Sequence, residues 1–537
     1  MASLKRNSLI ASAAIFCCRF TGLAREAVYS ALYGATWPLD AFLVAFRVPN
    51  TLRDLFAEGA LSQSYTSVAA KVAEKEGIAA AEELTQKIAT QLITLMLAVV
   101  TIGILLTGPL MDLIYANPPN PDSVGLATDL CRVMWPFIAL ASLSALIMGV
   151  LNIFGSFGLP MLASAAFNLV SILCGLGGGF LIDPSFLSKV IDKEPVSPDV
   201  LYGFAVGVLV GGVAQIVVQL PKMRSTGIRW RWNWHWRDPM VKRVALLMVP
   251  GVLAAGVTQI NVLVNTSFAA GHLEGGSVTA LSNAFRLWQL PVGLFGVATG
   301  MVVLPSISRL MAKNARGEII EYLATAIRFV AFFAVPSAIV LGLWGEEIVS
   351  LIFQRGNFVA KDALLTGQVL TAYTFGLLGY AGIKVVQPVF MALEKPLLPM
   401  YIAIGALAVS VSLNYYFVCV LHANAPWLAM TTSVITTLNF LFYAIYLRRL
   451  LGGLGLSILL PGLLRIAGAA LPMALLCYAL HRCWFTDFTS QAWGFLDRLA
   501  ALAVGGAAAA LLYLGISWIL RVPELAEARS KLAGRSR

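Results

Sequence analysis

Long apolar runs separated by short polar connectors dominate the chain. They fall at roughly 7–33, 41–70, 86–115, 126–153, 159–182, 201–221, 243–270, 278–308, 320–345, 363–391, 398–420, 426–447, 460–481 and 494–520. A helix of roughly 20 apolar residues crosses a bilayer. The pattern therefore predicts an all-α polytopic membrane protein with about fourteen transmembrane helices. The connectors leave no room for a large soluble domain.

Composition agrees with the pattern, and charge adds a direction. Of 537 residues, 59% are hydrophobic and only 12% charged, about half the charged share of a water-facing globular surface. The net charge of +11 sits largely in alternate connectors. Lys5 and Arg6 precede the first span; Lys71, Lys75 and Lys87 follow the second; Lys222, Arg224, Arg229, Arg231, Arg237, Lys242 and Arg243 follow the sixth. Arg309, Lys313 and Arg316, then Arg448 and Arg449, then the carboxy-terminal tail continue the series. Connectors 35–40, 117–122, 271–276 and 422–426 hold no Lys or Arg. Positive connectors stay in the cytoplasm, so both termini are expected there. The start MASLKR resembles a signal peptide, but Arg19 and Arg25 interrupt the run behind it and no clear cleavage site follows, so it is expected to remain as the first span. Seven cysteines lie mostly in apolar runs without metal-ligand spacing and read as packing residues; no metal or disulfide is expected.

A weak internal repeat suggests two halves. Ala45-Phe46-Arg47 with Leu55-Phe56 returns at an offset of 239 as Ala284-Phe285-Arg286 with Leu294-Phe295. The copies fall in spans two and eight, of equal orientation, as in parallel repeats about an axis along the membrane normal. The expected organisation is an amino-terminal lobe of six helices (1–222), a cytoplasmic linker (223–242), a carboxy-terminal lobe of six helices (243–450), and two further helices with a cytoplasmic tail (451–537). The linker contains RWRWNWHWR at 229–237. Alternating Arg and Trp suits RNA stacking, but a linker lying at the lipid headgroups is the preferred reading.

Some of the charge lies at hydrocarbon depth. Span one carries Arg19 and Arg25; span two carries Arg47, Asn50, Arg53, Asp54, Glu58 and Gly59; Arg286 and Lys384 lie in spans eight and ten. An arginine facing lipid near the bilayer centre costs about 3 kcal/mol, so these side chains should face a hydrated cavity. Pro49 and Gly59 would loosen span two, a feature of helices that line transport cavities. Such a cavity is cationic and suits an anion, and arginine favours bidentate contact with a phosphate or diphosphate. In the competing reading, these arginines form salt bridges with Glu26, Asp40, Asp54 and Glu58, or snorkel to the interface. Gln259, Asn261 and Asn265 in span seven read as polar helix packing rather than a cation site. The four histidines lie in connectors or at helix ends, and no HExxH, GxSxG or Walker A motif occurs. No enzymatic chemistry or cofactor is expected.

Three segments carry a resemblance. SAAIFCCRFTGLAREAVYSALYGATWPLDAFLVAFRVPNTLRDLFAEGALSQSY at 12–65 closely resembles the amino-terminal signature of the MurJ/MviN lipid II flippases, and RLWQLPVGLFGVATGMVVLPSIS at 286–308 and LIFQRGNF at 351–358 extend it. The resemblance implies a V-shaped pair of six-helix lobes of the multidrug/oligosaccharidyl-lipid/polysaccharide exporter superfamily. It implies alternating-access movement of undecaprenyl-diphosphate-linked peptidoglycan precursor (lipid II) from the inner to the outer leaflet of the bacterial inner membrane. Arg19, Arg25, Arg53 and Arg286 match the substrate-binding arginines. Asp40, Asn50, Glu58, Gly59 and Lys384 are expected to gate or support the cavity. The implied partners are lipid II, membrane lipids and cell-wall synthesis proteins, with no nucleic acid. Phe285, Gln289, Asn265 and Lys395 depart from the pattern of many relatives and put lobe gating and sodium coupling in doubt. The alternatives are a cation-coupled drug exporter of the same superfamily, which calls for an acidic cavity, and a membrane scaffold without transport.

Overall fold

The computed structural model describes residues 2–56, 61–156, 158–313, 315–393, 395, 397–486, 488–490 and 493–525. Among these the chain is nearly all helical. The helices are α1 (Ala2–Tyr33), α2 (Trp37–Phe56), α3 (Ser62–Glu76), α4 (Ile78–Ile114), α5 (Asp122–Met134), α6 (Phe137–Ile153), α7 (Gly158–Ile182), α8 (Phe186–Ile191), α9 (Val200–Arg224) and α10 (Pro239–His272). They continue as α11 (Ser277–Pro291), α12 (Ala298–Ala312), α13 (Arg316–Leu343), α14 (Gly345–Phe353), α15 (Ala360–Thr374), α16 (Leu377–Ala392), α17 (Leu397–Tyr415), α18 (Ala425–Leu451), α19 (Leu456–Cys483) and α20 (Phe495–Ile519). Among the described residues, ten stretches are long and apolar enough to cross a membrane, or eleven if the bent pair α15 and α16 is one span. α2 is outside that set; its twenty residues include Asp40, Arg47, Arg53 and Asp54.

The chain divides into two compact units, Met1–Thr279 and Ala280–Arg537. The boundary lies one helix beyond the linker expected at 223–242. α10 packs against α2, α3 and α4, and so belongs with the first unit by contact. Asp238 starts that helix: its Oδ1 accepts the Met240 N–H at 2.8 Å and the Val241 N–H at 3.4 Å, with Pro239 in the first turn. This is a side-chain cap on otherwise unpaired amides.

In the first unit the closest helix pair is α7 against α9. Ser171, Gly175 and Gly179 on α7 and Gly203, Gly207 and Gly211 on α9 each recur every four residues, giving both helices a flat stripe. A Cβ on Gly203 would lie 2.5 Å from the Gly179 nitrogen, and one on Gly207 would lie 2.7 Å from the Ser171 carbonyl oxygen. Small residues allow this backbone contact, which is how helices associate where no hydrophobic force draws them together. Buried polar side chains tie other helices: Trp135 Nε1 donates to Thr107 Oγ1 at 2.8 Å, and Gln219 Nε2 donates to Ser144 Oγ at 2.7 Å. Large side chains such as Leu105 and Leu113 point outward from α4, as a lipid-facing surface requires.

The second unit contains a break that the apolar pattern hides. The run at 363–391 reads as one span, but α15 and α16 meet at an angle of 47°. At the break, Ser433 of α18 donates to the Ala372 carbonyl at 2.7 Å and to the Tyr373 carbonyl at 3.1 Å. The Tyr373 carbonyl also accepts the Gly376 N–H at 3.1 Å, so the hydroxyl adds a donor where the bend disturbs the helical ladder. Gly376 lets Ser433 approach, since a Cβ there would lie 2.6 Å from the Ser433 Cα.

The carboxy-terminal hairpin α19–α20 is bound firmly to α13. Arg328 Nε donates to Glu524 Oε1 at 2.6 Å with both side chains buried. Tyr513 OH donates to the Phe332 carbonyl at 2.8 Å, and Trp344 Nε1 donates to the Cys477 carbonyl at 2.9 Å. An apolar core around Phe332, Trp344, Met473, Phe485 and Tyr513 fills the space between. The two last helices are thus an integral part of the second unit.

Gly203→Ala forces a methyl into the α7 backbone and should lower the thermal midpoint of the purified protein, at an overpacking cost of about 1–3 kcal/mol. Gly177→Ala meets nothing within 4 Å and should leave the midpoint unchanged or raise it, because alanine favours the helix. Equal midpoints for the two variants would contradict the stripe.

Candidate functional site

The charged side chains of α1 and α2 gather around an aromatic cluster inside the first unit. Arg25 is buried, its Nη2 lying 2.9 Å from Glu26 Oε1. Its guanidinium lies 5.4 Å from the centre of the Phe46 ring, 5.5 Å from that of Phe167 and 5.9 Å from that of Tyr29. Phe137 contacts both Phe46 and Phe167, with ring centres 5.7 and 5.2 Å apart. The Arg53 guanidinium lies 6.0 Å from the Phe137 ring centre. Arg25 and Arg53 therefore flank one set of rings, close enough to repel each other electrostatically. Ring faces attract cations and help to hold two like charges where water is scarce.

Carboxylates balance part of that charge. Arg53 reaches Asp54 Oδ1 through Nε at 3.1 Å and Nη2 at 2.7 Å. Asn50 and, from α10, Gln259 approach Asp54 Oδ2 at 3.5 and 3.4 Å. Arg47 Nη1 donates to Thr266 Oγ1 on α10 at 3.2 Å. Asn265 donates to Asn261 one turn earlier at 3.2 Å. Salt bridging thus accounts for Arg25 with Glu26 and for Arg53 with Asp54. Arg25 nevertheless keeps a buried Nε with no hydrogen-bond partner, a donor left for another acceptor. Arg19 is half-buried on α1. Glu58 and Gly59 lie outside the described residues.

Asp40 has a different setting. Its carboxylate accepts from the N–H groups of Gly276 and Thr279 at 2.7 Å each, from Val278 N–H at 3.4 Å and from Thr279 Oγ1 at 2.6 Å. This carboxylate ties the start of α2 to the turn after α10. Gly276 has a φ of +97°, and a Cβ on it would come 2.2 Å from the Ala35 carbonyl oxygen. Only glycine suits both the backbone angle and the approach.

The second unit holds Arg286 and Lys384. Arg286 is exposed on α11, and its neighbour Phe285 packs against Trp288 and Tyr373 with ring centres 5.3 and 5.7 Å away. Trp288 and Tyr380 lie 4.7 Å apart, and Lys384 Nζ sits 4.9 Å from the Tyr380 ring centre. Lys384 thus also rests on an aromatic surface. Gln289 is half-buried and Lys395 is exposed.

Two contacts of titratable side chains in this unit, one of them fully buried, lie outside the residues singled out from sequence. Arg328 with Glu524 is one; an arginine inside the apolar run 320–345 is the available signal. The other joins Glu347 on α14 to His481 at the end of α19, with Oε1 2.5 Å from Nδ1. They line a cavity of about 340 Å³ with Glu346, Arg482, Phe485 and Phe488. Burial pushes the Glu347 carboxyl above its ordinary range, although its own backbone N–H and His481 pull the other way.

The family described as "Lipid II flippase MurJ" matches residues 29–503. The chain is 33% identical over 532 residues to the lipid II flippase MurJ of Burkholderia cenocepacia, covering 96% of this chain and 98% of that one. Among solved structures it is similar to lipid II flippase MurJ in an inward closed conformation, with a TM-score of 0.75 at 23% identity, covering 96% of this chain and all of the other. An inward-facing transporter of the multidrug resistance MATE family shares the fold, with a TM-score of 0.61 at 13% identity, covering 82% of this chain and 94% of that one.

The raised Glu347 carboxyl fixes a sign. The folded chain binds that proton more tightly than the unfolded chain, so its stabilising effect is full in acid and is lost as pH rises from the ordinary carboxylate range through the raised value. The thermal midpoint of the wild type relative to Glu347→Gln should therefore be higher at pH 5 than at pH 8, so that the two slopes differ. An unchanged slope in that variant would contradict the assignment.

Proposed function

The chain belongs to the lipid II flippase MurJ family, and from that premise we propose the following working cycle in the bacterial inner membrane. The protein is a multi-pass transporter that moves lipid II, undecaprenyl-diphosphate-linked peptidoglycan precursor, from the inner to the outer leaflet by alternating access. Arg19, Arg25, Arg53 and Arg286 bind the diphosphate. A diphosphate stripped of water in hydrocarbon is prohibitively costly, and guanidinium groups substitute for its hydration through charge-assisted hydrogen bonds. The observation that carries this reading is the placement of Arg25 and Arg53 on either side of the Phe46, Phe137 and Phe167 rings. The unpartnered Arg25 Nε supports it.

The charge state also fits a cycle. Glu26 and Asp54 hold Arg25 and Arg53 while no anion is present, and an arriving diphosphate competes for those donors. A pre-formed pair that exchanges partners avoids leaving a bare buried charge at any step. Asp40, Asn50, Glu58, Gly59 and Lys384 support or gate the path. Membrane potential is a suitable driving force, since one charge moved through 100 mV is worth about 2.3 kcal/mol.

The finer topology is part of the same proposal. Twelve of fourteen spans form lobes at 1–222 and 243–450, joined by the linker 223–242 and followed by two spans and a tail at 451–537. Both termini face the cytoplasm, supported by the Lys- and Arg-rich connectors on that side. The chain carries out transport rather than bond-making chemistry. Its cargo is made on one face and consumed on the other, so cell-wall synthesis proteins are the partners it would work beside.

Movement of fluorescent lipid II across proteoliposome membranes tests the assignment. Arg25→Ala and Arg286→Ala should each slow the initial rate about tenfold or more, the effect of losing a hydrogen bond to a charged group, while still eluting as folded protein. Wild-type rates in both variants would overturn the assignment of these arginines.

A further inference from the structure

The linker between α9 and α10 is fixed in place, yet its aromatic side chains are left in the open. The Arg229 N–H donates to Glu82 Oε1 at 3.0 Å, and its carbonyl accepts from Gln86 Nε2 at 2.9 Å. The Asn233 N–H donates to Thr90 Oγ1 at 3.0 Å, and the His235 carbonyl accepts from Gln91 Nε2 at 3.0 Å. After a turn at Trp236 and Arg237, Asp238 Oδ2 lies 2.6 Å from Lys87 Nζ. The anchoring residues of α4 include Glu82, Gln86 and Thr90, one helical turn apart. The linker is thus a strap with four backbone polar groups bonded to α4.

The strap's indoles remain unburied. Trp230, Trp232, Trp234 and Trp236 are 38%, 64%, 59% and 49% exposed, and Trp234 and Trp236 meet edge to face with ring centres 5.7 Å apart. Arg229, Arg231, His235 and Arg237 alternate with them and are also exposed. Lys222, Arg224, Lys242 and Arg243 flank the strap at the ends of α9 and α10. Glu82 and Glu83 are the nearby acidic groups on α4, and the first is hydrogen-bonded to the strap while the second is paired with Lys87.

We propose that this strap is an anionic-lipid docking site: its indoles enter the headgroup layer of the protein's own membrane while its guanidinium groups engage the phosphates of anionic phospholipids. Three features favour this occupant. The strap leaves the end of α9, a helix long and apolar enough to cross a membrane, and leads into the 34-residue α10, so it would lie at the membrane surface. Indoles settle at the boundary between hydrocarbon and water, where an apolar ring and a polar N–H are both accommodated. The surrounding charge is strongly positive and complements anionic lipid, each Arg or Lys near such a surface adding roughly a fivefold preference. The proposal is independent of the arginines assigned to cargo binding.

The full-length protein, reconstituted in vesicles of brominated phosphatidylglycerol or brominated phosphatidylcholine, provides the test. The fluorescence difference between the wild type and the variant W230F/W232F/W234F/W236F isolates the four strap indoles from the other tryptophans. Bromine should quench that difference signal, more strongly in phosphatidylglycerol. In mixed vesicles with brominated phosphatidylglycerol as the minor lipid, R229Q/R231Q/R237Q should lower the apparent lipid affinity by roughly fivefold per arginine. Equal thermal midpoints for wild type and variants establish that the strap change has not unfolded the protein. Equal quenching in both lipids would overturn the proposal. So would quenching by aqueous iodide but not by bromine, or protection from iodide by added RNA.

Discussion

An ion in hydrocarbon has no water to solvate it, and the arrangement of this protein follows from that constraint. Among the described residues, five cations within the apolar runs have a partner suited to a dry setting. Arg25 has Glu26 and three aromatic rings; Arg53 has Asp54 and Phe137; Arg47 has Thr266; Lys384 has Tyr380; Arg328 has Glu524. Buried pairs of this kind add little net stability compared with apolar packing, but removing one member strands the other at a cost of several kcal/mol. The pairs therefore specify position more than they strengthen the fold. In the proposed cycle they also poise charge where a transported anion would exchange with a carboxylate.

The same constraint governs the uncharged framework. Backbone groups freed at breaks and turns need partners, and each is supplied from elsewhere in the same unit. Ser433 serves the bend between α15 and α16, and Asp40 serves the turn after α10. Between such points the helices approach through small residues, most closely where α7 meets α9. A rigid first unit built in this way holds the aromatic cluster, and that cluster in turn holds Arg25 and Arg53.

Much of the fold is legible in the sequence because hydrophobicity is local. Apolar runs mark the helices, and arginines inside those runs mark the charge that needs a function. Family resemblance supplies what local physics lacks, the identity of the anion. Partner choice is less visible. Glu524 lies 196 residues from Arg328, and Gly276 lies 236 residues from Asp40; no periodicity encodes such separations. The bend at Phe375 and Gly376 is hidden because its compensation comes from α18. The repeat places α10 with the second half of the chain, whereas its contacts place it with the first unit, since an internal repeat reports ancestry of sequence and contacts report packing.

The central claim is that the arginines of α1 and α2, Arg25 buried among them, set a positive potential along a hydrated path beside α2. Its most direct measurement is thiol labelling of Asn50→Cys in a variant lacking the seven native cysteines, with the protein in lipid vesicles. A hydrated cationic path predicts that a negatively charged methanethiosulfonate reagent reacts several-fold faster than a positively charged one, and that lipid II slows the reaction. Failure of both reagents to label the site, or faster labelling by the cationic reagent, would contradict the claim.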